Sequence, residues 1–194
     1  VIDDFPFLWR WFEEDHILTQ MNQKRLYTDE NGYFKYNHQW DLLIELINLE
    51  YAKFIRDTED YFDYTVIIEF SRGKEHGGYK RAIPLLSDMI LQELSILYVN
   101  VSWDESLRKN RIRFNPERPD SILEHGLPDE KLERMYSDCD FKELSSVSSK
   151  TILINKYVIP FTIFENEDDV TTKNDSELRR RLKNCMDFLW DKCS

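Results

Sequence analysis

The chain has 194 residues, 41% of them hydrophobic and 14% aromatic, which is enough apolar material for a folded core. Its 37 acidic residues outnumber its 26 basic residues, and the formal net charge of -11 argues against a nucleic-acid groove or an anionic membrane as the main partner. No apolar run approaches the ~18 residues that would suggest a membrane span. The three cysteines, Cys139, Cys185 and Cys193, lack the spacing of a metal site, so we expect reduced thiols and a cytoplasmic protein.

The first predicted elements are a strand, a helix, a hairpin and a second helix. Val1 and Ile2 end the strand, and the acidic pair Asp3 and Asp4 that follows can cap the next helix, face a site, or do both. An Asn-Gly pair between two aromatic-rich runs predicts a hairpin at about 25–36, exposed as a flap. A long amphipathic helix then leads to the next strand.

A short apolar run at residues 64–70 predicts a strand that is buried on both faces, as in a parallel sheet. Glu69 and Arg72 fall at its carboxyl end, which is where ligands bind in open parallel sheets. The alternative is a core strand that simply stops at polar residues. We take this run as the centre of the predicted fold.

The second half of the chain alternates strands with helices. Residues 95–101 form a second buried-strand run, and the helix after it carries Arg108, Arg111 and Arg113. A stretch rich in Pro, Asn, Asp and Gly predicts a loop at about 114–128. The remaining predicted elements are a helix from 129, a strand within 157–164 and a helix over about 175–190. This alternation predicts an α/β fold with a mostly parallel sheet covered by helices on both faces.

The predicted topology brings carboxylates and arginines to one place. The carboxyl ends of parallel strands share an edge, so these side chains would meet in one crevice. Carboxylates can hold Mg²⁺ or take a hydroxyl proton, and arginines can stabilise the charge on a transferring phosphoryl group. The combination predicts phosphoryl transfer. For the arginines, the alternative is a solvated helix face.

The order of these elements resembles the P-loop kinases of the nucleoside and nucleotide kinase group, in particular the uridine-kinase-like enzymes. Val1-Ile2-Asp3-Asp4-Phe5 looks like their second strand, which ends in Asp-Asp-Phe. Residues 36–43 look like their substrate-side His-Pro-x-aromatic-Asp segment, with Gln39 in place of the proline. Three further segments are similar to the family's metal-side strand, its strand with lid helix, and its last strand with an Asn-containing turn: 66–69, 97–111 and 163–167.

The resemblance implies a single three-layer P-loop NTPase-like domain over residues 1–194, acting as an ATP- and Mg²⁺-dependent kinase of a small hydroxylated metabolite or nucleoside-like acceptor. It implies that Asp3 is the base for the acceptor hydroxyl, and that Glu69 is the catalytic carboxylate beside the metal. Asp4, His38 and Arg72 would bind the substrate. The other implied site residues are the catalytic arginines Arg108, Arg111 and Arg113, with 114–128 as a lid loop, and Asn166 near the base of ATP.

The phosphate loop is the main departure from the family. No Gly-x-x-x-x-Gly-Lys-Ser/Thr sequence occurs, since Gly73 and Gly78 have the glycine spacing but Tyr79 stands where lysine is required. The match begins at the family's second strand, so we expect a chain truncated at its N-terminus, with the first strand missing from the middle of the sheet. Such a chain should bind ATP poorly, because the loop's N–H groups and lysine are missing. The alternatives are a non-catalytic nucleotide-fold binding or regulatory module, and nucleoside triphosphate hydrolysis coupled to motion.

Overall fold

The structure, a computed structural model, describes residues 1–118, 121–122, 124–146, 148, 150–174 and 176–193. The chain divides into two compact units, unit 1 at Val1–Ser87 and unit 2 at Asp88–Ser194. Both contain helices and a small sheet, so the predicted α/β class is confirmed. No helix in the described ranges is long and apolar enough to cross a bilayer.

Unit 1 is built on a pair of short parallel strands. Strand β1 (Ile2–Asp3) pairs with β2 (Ile68–Glu69), with Ile2 opposite Ile68 and Asp3 opposite Glu69. The unit's α-helices are α1 (Phe5–Gln20), α2 (His38–Asp57) and α3 (Gly78–Ala82), and its 3₁₀ turns are Tyr61–Asp63, Lys74–His76 and Ile83–Leu85. The expected parallel pairing of the first two strands is therefore confirmed.

Helix α2 provides much of the unit 1 core. Leu43, Ile44 and Ile47 follow the spacing of one helix face and are fully buried. Leu42 and Leu49 of the same helix are exposed. The buried face of α2 is therefore a narrow stripe, and these two leucines lie beside it.

The strand expected over 64–70 is shorter and more exposed than predicted. Only Ile68 and Glu69 are in β-structure, and Ile67 is 57% exposed. Val66, Ile68 and Phe70 are half-buried, whereas the residues between them face solvent. A period of two indicates a strand covered on one face, so the prediction of burial on both faces is wrong.

Residues 25–36 form a tight turn with little strand structure. An isolated antiparallel bridge joins Thr28 to Phe34, and Gly32 adopts a positive φ of 73° in the turn. Thr28 is fully buried, and Gln39 of α2 donates a 2.9 Å hydrogen bond to the carbonyl of Tyr27. The base of this hairpin is therefore fixed to the helices of unit 1.

Unit 2 contains a three-stranded mixed sheet in the order β3-β5-β4. Strands β3 (Ile96–Asn100) and β5 (Tyr157–Glu165) are parallel, as expected, and β4 (Thr151–Ile154) is antiparallel to β5. The helices are α4 (Asp88–Leu91), α5 (Trp103–Arg113), α6 (Asp129–Tyr136), α7 (Phe141–Leu144), α8 (Val170–Lys173) and α9 (Ser176–Cys193). The expected start of the last helix at Asp175 lies outside the described residues.

The unit 2 core is centred on an aromatic side chain. Phe141 is buried, stacks on Tyr98 with ring centroids 4.0 Å apart, and meets the ring of Phe161 edge-on at 5.8 Å. Such pairs add geometric preference to apolar burial. They fix α7 against β3 and β5, which in turn set the position of α5 and of the turn after β5.

Candidate functional site

Three acidic residues of unit 1, Asp3, Asp4 and Glu69, lie at the carboxyl ends of β1 and β2. Asp3 and Glu69 are register partners, and the Asp4 N–H donates to the Glu69 carbonyl at 3.2 Å. Asp3 Oδ1 accepts from the N–H of Phe5 at 2.9 Å, so this carboxylate also stabilises the start of α1. Asp3 is half-buried and Glu69 is exposed, so the two carboxylates remain accessible to a ligand.

Arg72 lies in the interior of unit 1, next to these carboxylates. Its side chain is 2% exposed, and its Nη1 is 2.5 Å from Asp4 Oδ2, at ion-pair distance but not aligned as a hydrogen bond. Nη1 also donates to the Ser71 carbonyl at 2.7 Å. The guanidinium lies 5.2 Å from the ring centre of Trp40 and 5.5 Å from that of Phe70. Arg72 is thus held by the fold from several sides.

Asp4 has an unusual electrostatic environment. Burial raises the pKa of its carboxyl group above the ordinary value, and the charges of Asp3 and Glu69 add to this effect, while Arg72 opposes it. A carboxyl group with a raised pKa beside an accessible carboxylate is a common arrangement where protons are exchanged. The expected cluster of Asp3, Asp4 and Glu69 is therefore present within unit 1, with Arg72 beside it.

His38 stands apart from this cluster in its contacts. It is the exposed first residue of α2, and its ring stacks on Tyr36 at 5.4 Å. One turn later, Asp41 receives two hydrogen bonds from Arg81, which hold the pKa of this carboxyl below its usual value. Neither Arg81 nor Asp41 was a sequence candidate, since residues 40 positions apart have no spacing signal.

The aromatic ring of Trp40 joins α2 to the loop after β2. It stacks on His76 with centroids 4.2 Å apart and packs edge-on against Phe34 at 4.7 Å. The Trp40 carbonyl also lies 3.4 Å from Arg72 Nη2. Trp40 therefore connects the hairpin, the loop and the buried arginine.

In unit 2, Arg108 on α5 belongs to a network of charges. Its guanidinium donates to both oxygens of Glu105 at 2.6 Å and to Asp169 Oδ2 at 2.6 Å. These bonds raise the pKa of Arg108. The hydrogen bonds from Thr172 and then Arg108 lower the pKa of Asp169 to about 2. Lys109 joins the network, with Nζ 3.2 Å from Asp169 Oδ1.

The other two arginines of α5 have separate partners. Arg111 pairs with Asp129 at the start of α6 across 2.5 Å, and both side chains are well exposed. Arg113 donates from Nε to the carbonyl of His125 at 3.1 Å. Residues 108 and 111 are neighbours on the surface of a helix, but their partners Asp169 and Asp129 differ, and residue 113 lies on another side of the helix. The structure therefore does not join the three arginines in one contact network.

Asn166 is buried in the turn after β5. Its N–H donates to the Asn100 carbonyl at 2.9 Å, and its side-chain amide donates to Thr171 Oγ1 at 3.0 Å. The next residue, Glu167, accepts from the N–H and hydroxyl of Ser102, which is the N-cap of α5. The turn is therefore locked to the start of α5.

The segment expected to form a lid, 114–128, begins where α5 ends. The side chain of Asn110 accepts from the N–H of Leu127 at 3.0 Å and donates to its carbonyl at 2.7 Å, which ties the end of this segment to α5. Asn115 N–H donates to the Glu124 carbonyl at 2.9 Å. Residues 119, 120 and 123 of the segment lie outside the described residues.

An open cleft of about 440 Å³ lies beside α5 in unit 2. Arg108, Lys109 and Arg113 line it together with Asp169 and Thr172. Its size is within the range of small-molecule sites. The arginine pattern in the sequence identified two of its cations, whereas Lys109 and Asp169 were not candidates.

The donor sets fit one of the two implied groups. Mg²⁺ is usually held by one or two carboxylates with water and phosphate oxygens, which fits Asp3 with Glu69. Within the described residues, three or more His, Cys, Asp or Glu side chains do not come together at a possible metal site. A triphosphate cradle of the phosphate-loop kind does not fit, because the sequence contains no such loop.

Comparison of the chain with protein-family models, with curated proteins and with solved structures finds no match.

Proposed function

We propose that the chain takes part in ATP-dependent phosphoryl transfer to a hydroxyl group of a small metabolite or nucleoside-like acceptor. The observation that carries the proposal is the register pairing of Asp3 with Glu69 at the carboxyl ends of two parallel strands. Ligands bind at this end of open parallel sheets. Two accessible carboxylates there match the needs of a proton acceptor and a metal ligand.

Asp3 and Glu69 have different roles in this proposal. Asp3 takes the proton of the acceptor hydroxyl. Asp4 is its neighbour in the chain, and burial raises the pKa of the Asp4 carboxyl, which favours the uncharged form beside Asp3. Glu69 is the more exposed carboxylate and would hold Mg²⁺. When bound, Mg²⁺ neutralises charge on the phosphoryl group. His38 and Arg72 belong to the acceptor side, His38 at the surface and Arg72 through its effect on Asp4.

The cations of α5 in unit 2 suit contact with phosphate groups. Arg108, Arg111 and Arg113 would stabilise negative charge on the phosphates, and Asn166 would fix the turn that faces the nucleotide base. The proposed sheet is the three-layer P-loop type. Each unit contains one parallel pair of strands, β1 with β2 in unit 1 and β3 with β5 in unit 2, as a strand–helix alternation favours. The proposal requires a phosphate loop from another part of the protein.

A binding or regulatory module without catalysis is the second candidate. It is favoured by the ion pairs of the very residues that would contact substrate: Arg72 with Asp4, Arg108 with Glu105 and Asp169, and Arg111 with Asp129. In such a module these pairs would hold the fold together. Measurements of turnover distinguish the two candidates.

The test measures transfer of the γ-phosphoryl group from Mg·ATP in the full-length protein, with uridine, cytidine and a set of hydroxylated metabolites as acceptors. Asp3→Asn is expected to lower kcat by about 10²–10⁴-fold, the usual effect of losing a general base. The exposed Asp63→Asn, which removes the same charge elsewhere in unit 1, is expected to keep the wild-type rate. Transfer at an unchanged rate in Asp3→Asn would refute the assigned base. Absence of both transfer and Mg·ATP binding in calorimetry would refute the kinase proposal and support the module.

A further inference from the structure

The cleft beside α5 has a charge opposite to that of the chain as a whole. Its lining contains three cationic side chains, Arg108, Lys109 and Arg113, and one carboxylate, that of Asp169. The chain carries a formal net charge of -11. A cationic cleft raises the local concentration of anions, even on a protein whose net charge is negative. The cleft therefore has the electrostatics of an anion site.

The carboxylate of Asp169 already lies against these cations. Its Oδ2 accepts from Arg108 Nη2 at 2.6 Å, and its Oδ1 is 3.2 Å from Lys109 Nζ. Oδ1 also accepts from the Thr172 hydroxyl at 2.8 Å. Two oxygens of one anionic group thus contact an arginine, a lysine and a hydroxyl. This is the set of donors that proteins use for a phosphate group.

Arg108 would stay in position if Asp169 moved away. Glu105, one turn earlier on α5, accepts from both Nε and Nη2 of the guanidinium and is itself buried. Asp169 is the N-cap residue of the four-residue helix α8, with a left-handed φ of 55°, and its side chain is 18% exposed against 10% for Glu105. The fixed partner of Arg108 is therefore Glu105, and the exchangeable partner is Asp169.

We propose that Asp169 is an internal counterion that occupies the place of a phosphate group, and that a phosphate-bearing metabolite binds in this cleft by displacing it. Glu105 and Asp169 together balance two of the three cations, and displacing Asp169 leaves two positive charges unbalanced, so the preferred ligand carries at least two negative charges. Ser106 and Thr172 add hydroxyl donors to the lining. The inference deepens the proposed function, on which it rests for the identity of the ligand as a phosphate donor or product.

The test compares two variants that remove one charge at neighbouring positions. Asp169→Asn removes the counterion, keeps an oxygen for the Thr172 hydroxyl, and suits the left-handed backbone that asparagine tolerates well. Asp168→Asn removes the same charge from a carboxylate that pairs with Arg181, and neither residue lines the cleft. Binding of inorganic tripolyphosphate to the full-length protein is measured by calorimetry without Mg²⁺ at an ionic strength of about 0.15 M, where the Debye length is about 8 Å.

Asp169→Asn is expected to bind tripolyphosphate about tenfold more tightly than the wild type, because the substitution removes one repelling negative charge from a partly solvated site. Asp168→Asn is expected to stay within about twofold of the wild type. The gain should disappear in the double variant Arg108→Gln/Asp169→Asn, which assigns it to this cleft and not to any other phosphate site. Equal affinities of the two single variants, or a gain that survives in the double variant, would overturn the proposal.

The same titrations separate this inference from the proposed function. Phosphoryl transfer plays no part in them, so a protein without kinase activity can still show the Asp169 effect. Conversely, an active kinase whose tripolyphosphate affinity does not respond to Asp169→Asn would keep the proposed function and refute the counterion. Uridine and uridine 5′-monophosphate serve as additional probes, and the counterion effect is expected with the monophosphate and not with the nucleoside.

Discussion

The buried carboxylate of Asp15 offers the sharpest test of how unit 1 is held together. It is fully buried in α1 and accepts hydrogen bonds from the N–H groups of Leu26, Tyr27 and Thr28 and from the Thr28 hydroxyl, at 2.5 to 3.0 Å. In Asp15→Asn one of these donors would face an NH₂ group, which costs about 1–3 kcal/mol. The other three bonds lose the charge, at roughly 0.5 kcal/mol each. We expect a total loss of about 3 kcal/mol.

The stabilisation by Asp15 should depend on pH in a defined direction. Burial tends to raise the pKa of this carboxyl, but the hydrogen bonds from Leu26, Thr28 and Tyr27 prevail, and the pKa is lower than in the unfolded chain. A carboxyl with a depressed folded pKa stabilises the fold above its unfolded pKa of about 3.9. That contribution is lost as the pH falls from there through the folded pKa. The difference between wild type and Asp15→Asn should therefore be constant near neutral pH and shrink below about pH 4.

Urea unfolding followed by tryptophan fluorescence measures this effect. Trp11 stacks on Tyr27 at 5.1 Å, so its emission reports the region that Asp15 holds. Glu14→Gln on the same helix is the control, since it breaks only a surface pair with Arg10 and should change stability by less than about 0.5 kcal/mol. If Asp15→Asn is as stable as Glu14→Gln at neutral pH, the carboxylate does not anchor the hairpin.

Two further substitutions test other parts of the fold. Arg72→Ala is expected to destabilise unit 1 by about 3 kcal/mol or more in thermal unfolding, because it leaves the carboxyl of Asp4 buried without its cation. The double variant Asp4→Asn/Arg72→Met should be more stable than Arg72→Ala. The reverse order of stability would show that the pair is not coupled. Asn155, which joins β4 to β5 with a positive φ of 53°, is expected to tolerate glycine. Asn155→Val should cost about 1–2 kcal/mol in urea unfolding of unit 2, and equal stability of the two variants would contradict the assigned backbone conformation.

The elements with strong local signals could be predicted from the sequence. The amphipathic pattern identified α2. Serine is a preferred N-cap residue, and the Ser102 hydroxyl at the start of α5 accepts from the N–H of Glu105. Of the β4–β5 hairpin, only the second strand was predicted, within 157–164. The signal for the hairpin was the pair Asn155-Lys156 between two β-branched runs, which is a two-residue hairpin loop with a positive φ at the asparagine.

The contacts of the candidate sites could be predicted only in part. The edge shared by Asp3 and Glu69 follows from parallel pairing, which the strand–helix alternation favours. The pairing of Arg108 with Asp169 joins residues 61 positions apart, and that of Arg81 with Asp41 joins residues 40 positions apart. No periodicity links such positions. A cluster of arginines in a sequence therefore indicates a charged helix, but its partners depend on tertiary packing.

The two arginine–carboxylate pairs differ in how easily they can be broken, and this difference separates structure from function. The pair of Arg72 with Asp4 is almost fully buried, so losing either partner leaves a charge without solvent. The pair of Arg108 with Asp169 is partly exposed, with 43% of the Arg108 side chain and 18% of the Asp169 side chain accessible, so water or a ligand can replace a partner at a lower cost. Ligand binding has to break existing contacts before it makes new ones. The exchangeable pair in the cleft is therefore the better place for a phosphate. Arg72 instead acts through its positive charge, which opposes the rise in the pKa of Asp4.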